Sequence, residues 1–152
     1  MAIALNLTAP LKQDPESQQR LQQLAGAFAE QVQPEMEAVL ARSEIVHFAR
    51  VLVIDNKYIQ VLTEFDGTPE EYTEFFRREL PQVFQAIFSL VEGAPPWEEL
   101  DTPDKFFAFS HGLNVKSLGT GDDGRGYMFA AFGDMTVRDI KRQLNQQPAG
   151  TA

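Results

Sequence analysis

Four residues of this chain have settings that could carry chemistry: His47, Arg50, Asp66 and His111. His47 and Arg50 lie three residues apart in IVHFARVLVI, Ile45 to Ile54, a run otherwise aliphatic or aromatic apart from Ala49. A histidine there can face a pocket as a general base or ligand. Equally, it can be a satisfied, half-buried side chain that seats the strand. Arg50 is a charge amid Val46, Phe48, Leu52 and Ile54. A buried guanidinium needs a carboxylate or an anionic ligand, and Glu64 and then Asp66 are the nearest candidates. The other outcome is a stem that snorkels to solvent. Asp66 precedes Gly67, where a tight strand-to-helix turn is expected, so its carboxylate serves either the turn backbone or catalysis. His111, in FFAFSHGLN, falls at the end of a helix before Gly112. It is a haem ligand only if a flat apolar cavity faces it. Otherwise it interacts with the helix dipole.

Other motifs are weaker. Ser110 lacks the G-x-S-x-G context of a nucleophile elbow. GTGDDGRG, Gly119 to Gly126, lacks the Lys-Ser/Thr ending of a phosphate loop and reads as a hairpin tip, with Asp122 and Asp123 too few for a calcium loop. No metal site is expected.

The elements that position these residues follow from spacing. Ile45–Ile54 and Tyr58–Phe65 read as two strands joined at Asp55, Asn56 and Lys57. The second alternates Ile59, Val61, Thr63 and Phe65 with Tyr58, Gln60, Leu62 and Glu64. Register decides the chemistry. A three-residue loop pairs Ile54 with Tyr58 and puts Arg50 on the face of Gln60, Glu64 and Asp66. A two-residue loop instead leaves His47 beside Asp66 and Glu64. Ala2–Ala9 reads as a first strand. A helix runs from Pro15 to about Arg42, capped by Asp14, with a kink or break at Pro34. Thr68-Pro-Glu-Glu71 forms a capping box for a helix that Pro81 bends or splits and that Gly93 ends. Thr102 caps a short helix carrying Phe106, Phe107 and Phe109. Leu113–Gly119 and Tyr127–Phe132 are expected strands around a turn at Gly121–Gly124. Thr136 and Asp139 open a last helix, with Met135 and Ile140 placed as a hydrophobic staple.

The order is β-α-β-β-α-β plus a C-terminal strand and helix, an α+β chain of the split βαβ, or ferredoxin-like, kind. Residues 1–147 make a single domain and 148–152 a frayed tail. Helices cover one face of an antiparallel sheet, while the strands are apolar on both sides, so a second copy of the chain is expected on the other face. The 152 residues include no Cys, which excludes disulfides and thiolate chemistry and leans towards a cytoplasmic location. A net charge of −9 excludes nucleic acid as a partner. No apolar run approaches membrane-spanning length, and MAIALNLTAPLK does not read as a signal peptide.

Three stretches carry a resemblance: HFAR (His47 to Arg50), FDGT (Phe65 to Thr68) and TVRDI (Thr136 to Ile140). With the element order they make the chain resemble ferredoxin-like proteins that pair sheet to sheet as dimeric α+β barrels, in a poorly characterised branch similar to dye-decolourising peroxidases. The resemblance implies a homodimer. The fold alone does not choose a chemistry. Two functions are therefore expected in competition. One is binding of a small organic ligand in an apolar cavity between sheet and helices. The other is a haem-dependent, peroxidase-like activity using His111 or His47 with Arg50.

Overall fold

The computed structural model describes residues 2–121 and 125–146. The expected tail at 148–152 and the tip residues Asp122, Asp123 and Gly124 lie outside them.

Three antiparallel strands form the sheet: β1 (Ile3–Pro10), β2 (Val46–Ile54) and β3 (Tyr58–Phe65), in the order β1-β3-β2. Because β3 is antiparallel to both neighbours, β1 and β2 run parallel with β3 between them. This is a βαβ unit split by a third strand. The chain between β1 and β2 is α1 (Pro15–Ala27), a π-helical turn (Phe28–Val32) and α2 (Gln33–Ser43). Pro34 does not break this helix. The missing amide and the ring would disturb the bond to Glu30, and the wider turn just before Pro34 absorbs the mismatch.

The hairpin loop is Asp55 to Lys57, and Ile54 pairs with Tyr58. Asp55 and Asn56 adopt left-handed φ values of 52° and 55°, which their short polar side chains tolerate. Gln13, Gln18 and Gln22 hold Asn56 by hydrogen bonds, two to its carbonyl and one to its side chain.

One face of the sheet is packed. Leu5, Leu7, Ile59, Val61, Thr63 and Phe65 are buried there. Behind them stand α1, α3 (Pro69–Glu79), α4 (Pro81–Phe88), α5 (Trp97–Leu100) and α6 (Pro103–Gly112). Phe65 stacks on Tyr72 at 4.0 Å between ring centroids, and the ring chain continues through Phe76, Phe84, Phe88 and Phe106. Pro81 splits the expected long helix in two at Leu80.

The caps form as expected. Thr68 accepts from Glu71 N–H, and the Glu71 carboxylate accepts in return from Thr68 N–H. Thr68→Ala should cost about 0.5–2 kcal/mol and Thr68→Ser less. Urea melts that rank the two alike would mean that the hydroxyl carries no capping energy. Gly67, at φ +92°, makes the turn before this helix. A Cβ there would stand 2.8 Å from Glu71 Oε2.

Two expected strands do not form. The chain at Leu113–Gly119 does reach the free edge of β1, where Leu7 and Asn114 make a single antiparallel bridge. It stops there because side chains take over the backbone's partners. Asn114 Oδ1 accepts from Asn6 N–H, and Asn6 Nδ2 donates to Val115 O and Ser117 Oγ. The other, Tyr127–Phe132, has no strand ladder. Its start is held by the preceding segment through two backbone bonds, Ser117 N–H to Arg125 O and Tyr127 N–H to Leu118 O. It crosses the end of the sheet instead and leads into α7 (Val137–Asn145).

Candidate functional site

The sheet's second face carries Phe48, Arg50, Leu52 and Ile54 of β2 and Tyr58, Gln60, Leu62 and Glu64 of β3. Phe48 is 70% exposed, and Leu52, Ile54 and Tyr58 are 40–46% exposed. At the end of this face nearest α7, the chain from Met128 to Gly133 runs beside His47, Phe48 and Glu64, with Phe48, Phe129 and Phe132 largely exposed. The resulting cleft measures about 260 Å³, and Met135 and Ile140 complete its wall.

Register and a bulge together place the sequence candidates. The three-residue loop puts Arg50 opposite Leu62, on the face of Glu64 and Gln60. Regular pairing would then send His47 to the packed face. A β-bulge between Val46 and Phe48 makes His47 the extra residue. It leaves Val46 on the packed face and turns His47 towards Asp66. The His47–Asp66 contact, which a two-residue loop alone was expected to allow, therefore occurs with a three-residue loop.

His47 Nε2 lies 2.8 Å from Asp66 Oδ1. Asp66 Oδ2 accepts from the backbone N–H of Val137 at 2.7 Å, across 71 residues of sequence. Asp66 is thus buried with both oxygens engaged. It serves neither its own turn nor Arg50. Its negative charge at the first residue of α7 is favourable to the helix dipole, and it supplements the Thr136–Asp139 capping box. Of the three stretches that carry the resemblance, HFAR supplies His47, FDGT supplies Asp66 and TVRDI supplies Val137, and all three meet at this junction. An ionised Asp66 fixes the tautomer of a neutral His47: Nε2 carries the proton and Nδ1 is left as an acceptor. The pair therefore orients a potential base at the rim of the cleft and ties the cleft's two walls together.

Arg50 stands apart from this pair. Its Nη1 is 3.9 Å from Glu64 Oε1, and the side chain is 54% exposed. Of the two outcomes left open for Arg50, the second holds: the guanidinium reaches water, with Glu64 at the limit of ion-pair distance. Arg50→Met should change stability by well under 1 kcal/mol. In a double-mutant cycle with Glu64→Leu, the coupling should be close to zero by urea denaturation.

Glu64 is the residue whose role the sequence understates. Its Oε2 is buried and has no hydrogen-bond partner among the described residues. Expecting Glu64 to serve as Arg50's partner gives no hint of this. The signal lay in its position, a carboxylate on the alternating face opposite the packed one.

His111 belongs to another part of the molecule. On α6 its ring lies against Phe107, with centroids 4.1 Å apart. Burial, and then the positive charge of Arg125, hold its pKa below the usual histidine value. Its Nε2 and the neighbouring Ser110 Oγ are buried without hydrogen-bond partners among the described residues. The residues present do not fit a haem. His111 borders none of the cavities described. The cleft at His47 is smaller than the roughly 300–1,000 Å³ of ordinary ligand pockets. Between sheet and helices, where a ligand cavity was expected, aromatic rings pack behind β3 around α3, α4 and α6. A shallow apolar space of about 190 Å³ remains beside α1, lined by Leu21, Leu24, Phe28, Val51 and Ile59 among others.

Among the described residues, no three histidine or carboxylate side chains converge to hold a metal ion, and no helix is long and apolar enough to cross a membrane. No known protein family, no curated protein and no solved structure matches this chain.

Proposed function

We propose that this chain is a ferredoxin-like binding protein that works as a homodimer and holds a small organic ligand in the cleft between the open sheet face and residues 128–135. The observation that carries the reading is the cleft itself. It has a mostly apolar wall with two polar side chains, His47 and Glu64, on one side, the usual composition of a ligand pocket. The strand order supports the fold assignment. Asn114 on the free edge of β1 stands where a fourth strand would complete a second split βαβ unit. The open face supports the dimer. Phe48, Leu52, Ile54 and Tyr58 are exposed apolar side chains on this face, with Arg50 between Phe48 and Leu52. A second copy would cover it and deepen the cleft.

Chemical-shift mapping with a library of small aromatic fragments tests the site. Binders should perturb Phe48, Glu64, Phe129 and Ile140 together. Shifts confined to other regions, or none, would overturn the cleft. Light scattering tests the assembly. The expected result is twice the chain mass, and Phe48→Asp should halve it. A wild-type monomer throughout the micromolar range would sink the dimer.

A further inference from the structure

We infer that a second cavity, beside Trp97, binds a small aromatic carboxylate. It lies at the opposite end of β1 from the cleft: Ala2 lines the cleft, whereas Lys12, just past Pro10, lines this cavity. Its occupancy does not depend on the cleft. It measures about 340 Å³, within the roughly 300–1,000 Å³ of ordinary ligand pockets. Backbone bonds between distant segments fix its frame. Lys12 N–H donates to Leu90 O and Glu92 N–H donates to Pro10 O, at 2.8 Å each, around a bridge between Leu11 and Val91. These bonds tie the lead into α1 to the chain that follows α4. Pro95 and Pro96 then restrict the backbone and deliver Trp97 as the first residue of α5. Its indole packs edge-on against Phe106, with centroids 6.0 Å apart. The cavity is therefore largely formed before a ligand arrives, and little ordering entropy opposes binding.

Charge names the ligand. The chain carries 22 acids against 13 lysines and arginines. The cavity wall reverses that balance, with Lys12 and Arg20 against Glu98 alone. Neither cation makes an ion pair among the described residues. Asp14 feels the charge of Lys12, but its carboxylate caps α1 through Ser17 N–H. Lys12 Nζ donates to Ser89 O at 3.1 Å, and Arg20 Nη2 donates to Ser17 Oγ at 3.4 Å. An ammonium has three donors and a guanidinium five, so most of them are left over. Two cations sharing a wall suit a carboxylate, whose oxygens accept charge-assisted bonds. Two positive charges less one acid leave one, which a monoanion neutralises and a phosphate dianion overshoots. The body of the ligand follows from Trp97, Ala94 and Pro95, which line the cavity and are only partly buried. The indole offers a flat face or edge to a second aromatic ring. The chain's net charge of −9 opposes anions at long range, so recognition is local and should weaken as salt rises.

Trp97 is the chain's single tryptophan, so its fluorescence reports on this cavity directly. The test is a fluorescence titration with three probes of matched size: phenylacetate, 2-phenylethanol and phenethylamine. They are applied to the wild type, Lys12→Gln, Arg20→Gln and Lys12→Arg. Phenylacetate should bind the wild type at least about tenfold more tightly than the alcohol or the amine. Each change to Gln should weaken the acid on the order of tenfold while leaving the alcohol within about twofold. Lys12→Arg, which keeps the charge, should retain most of the affinity. Equal binding of acid and alcohol would overturn the inference. So would an acid preference that neither change to Gln moves. Preference for the amine would overturn it and transfer recognition to Glu98. Silence of Trp97 towards all three probes at millimolar concentration would overturn it as well. None of these outcomes bears on the cleft, whose binders are read at Phe48 and Phe129.

Discussion

Asp66→Ala should destabilise the chain by about 2–4 kcal/mol and weaken ligand binding at the cleft at the same time. The carboxylate accepts from Val137 N–H at one oxygen and meets His47 at the other, in a buried position. Truncation leaves a buried backbone donor with no acceptor, which alone costs about 1–3 kcal/mol. It also removes a favourable charge from the start of α7, and it frees the His47 ring. Since α7 brings Ile140 and the preceding turn brings Met135 to the cleft wall, loosening that helix opens the wall. Urea denaturation followed by circular dichroism reads the first effect, and fragment titration at low denaturant reads the second. Asp66→Asn should cost less. Its side-chain oxygen can still take the Val137 proton, and its NH₂ can donate to His47 if the imidazole shifts to the other tautomer. A cycle with His47→Ala should show coupling of about 0.5–3 kcal/mol, since the two side chains touch. If Asp66→Ala melts like the wild type, the junction contributes no stability.

What could be read from the sequence was what is settled within a few residues. Thr68, Thr102, Thr136 and Asp14 each cap a helix because the acceptor and the orphan amide are three positions apart. Alternation located β3 and its packed face. Pro81 announced a break because a missing amide acts on its own helix. The unread parts are those in which distant segments decide. Nothing near His47 marks a bulge, since the extra residue arises from how β2 accommodates β3 and the turn after it. Asp66 reads as a turn residue from its neighbour Gly67, yet its second partner is 71 residues downstream. The stretch Tyr127–Phe132 has a strand's composition. A strand also needs a continuous partner, and among the described residues the backbone bonds to Ser117 and Leu118 stop at Tyr127. The same limit governs the site. His47, Arg50 and Asp66 were each legible as unusual residues, but which of them meet depends on register and bulge together. Glu64 stood out only once a third segment lay beside it.

The same separation between packing and site makes the second large effect diagnostic. Phe76→Ala should cost about 3–5 kcal/mol, the range for truncating a buried phenylalanine. Phe76 is almost wholly buried on α3. Its ring packs edge-on against Tyr72 at 4.7 Å, Phe75 at 5.5 Å and Phe84 at 5.4 Å. Those rings are held in turn. Tyr72 stacks on Phe65 and donates its hydroxyl to Thr63, while Phe84 meets Phe88 and Phe106. With its neighbours fixed by partners on their far sides, the site cannot collapse to fill the void, so the cost should fall towards the upper end of the range. Phe76→Leu, which retains most of the volume, should cost markedly less. The lesion lies behind the sheet, and the cleft lies in front of it, with β3 between. Phe76→Ala should therefore lower the urea midpoint sharply while leaving fragment affinity at low denaturant within about twofold of the wild type, because distant sites act nearly independently. Asp66→Ala, by contrast, should lose both. A Phe76→Ala protein that stays folded yet no longer binds would show that the cleft is shaped from the aromatic core through β3, and that the junction at Asp66 is not what holds it.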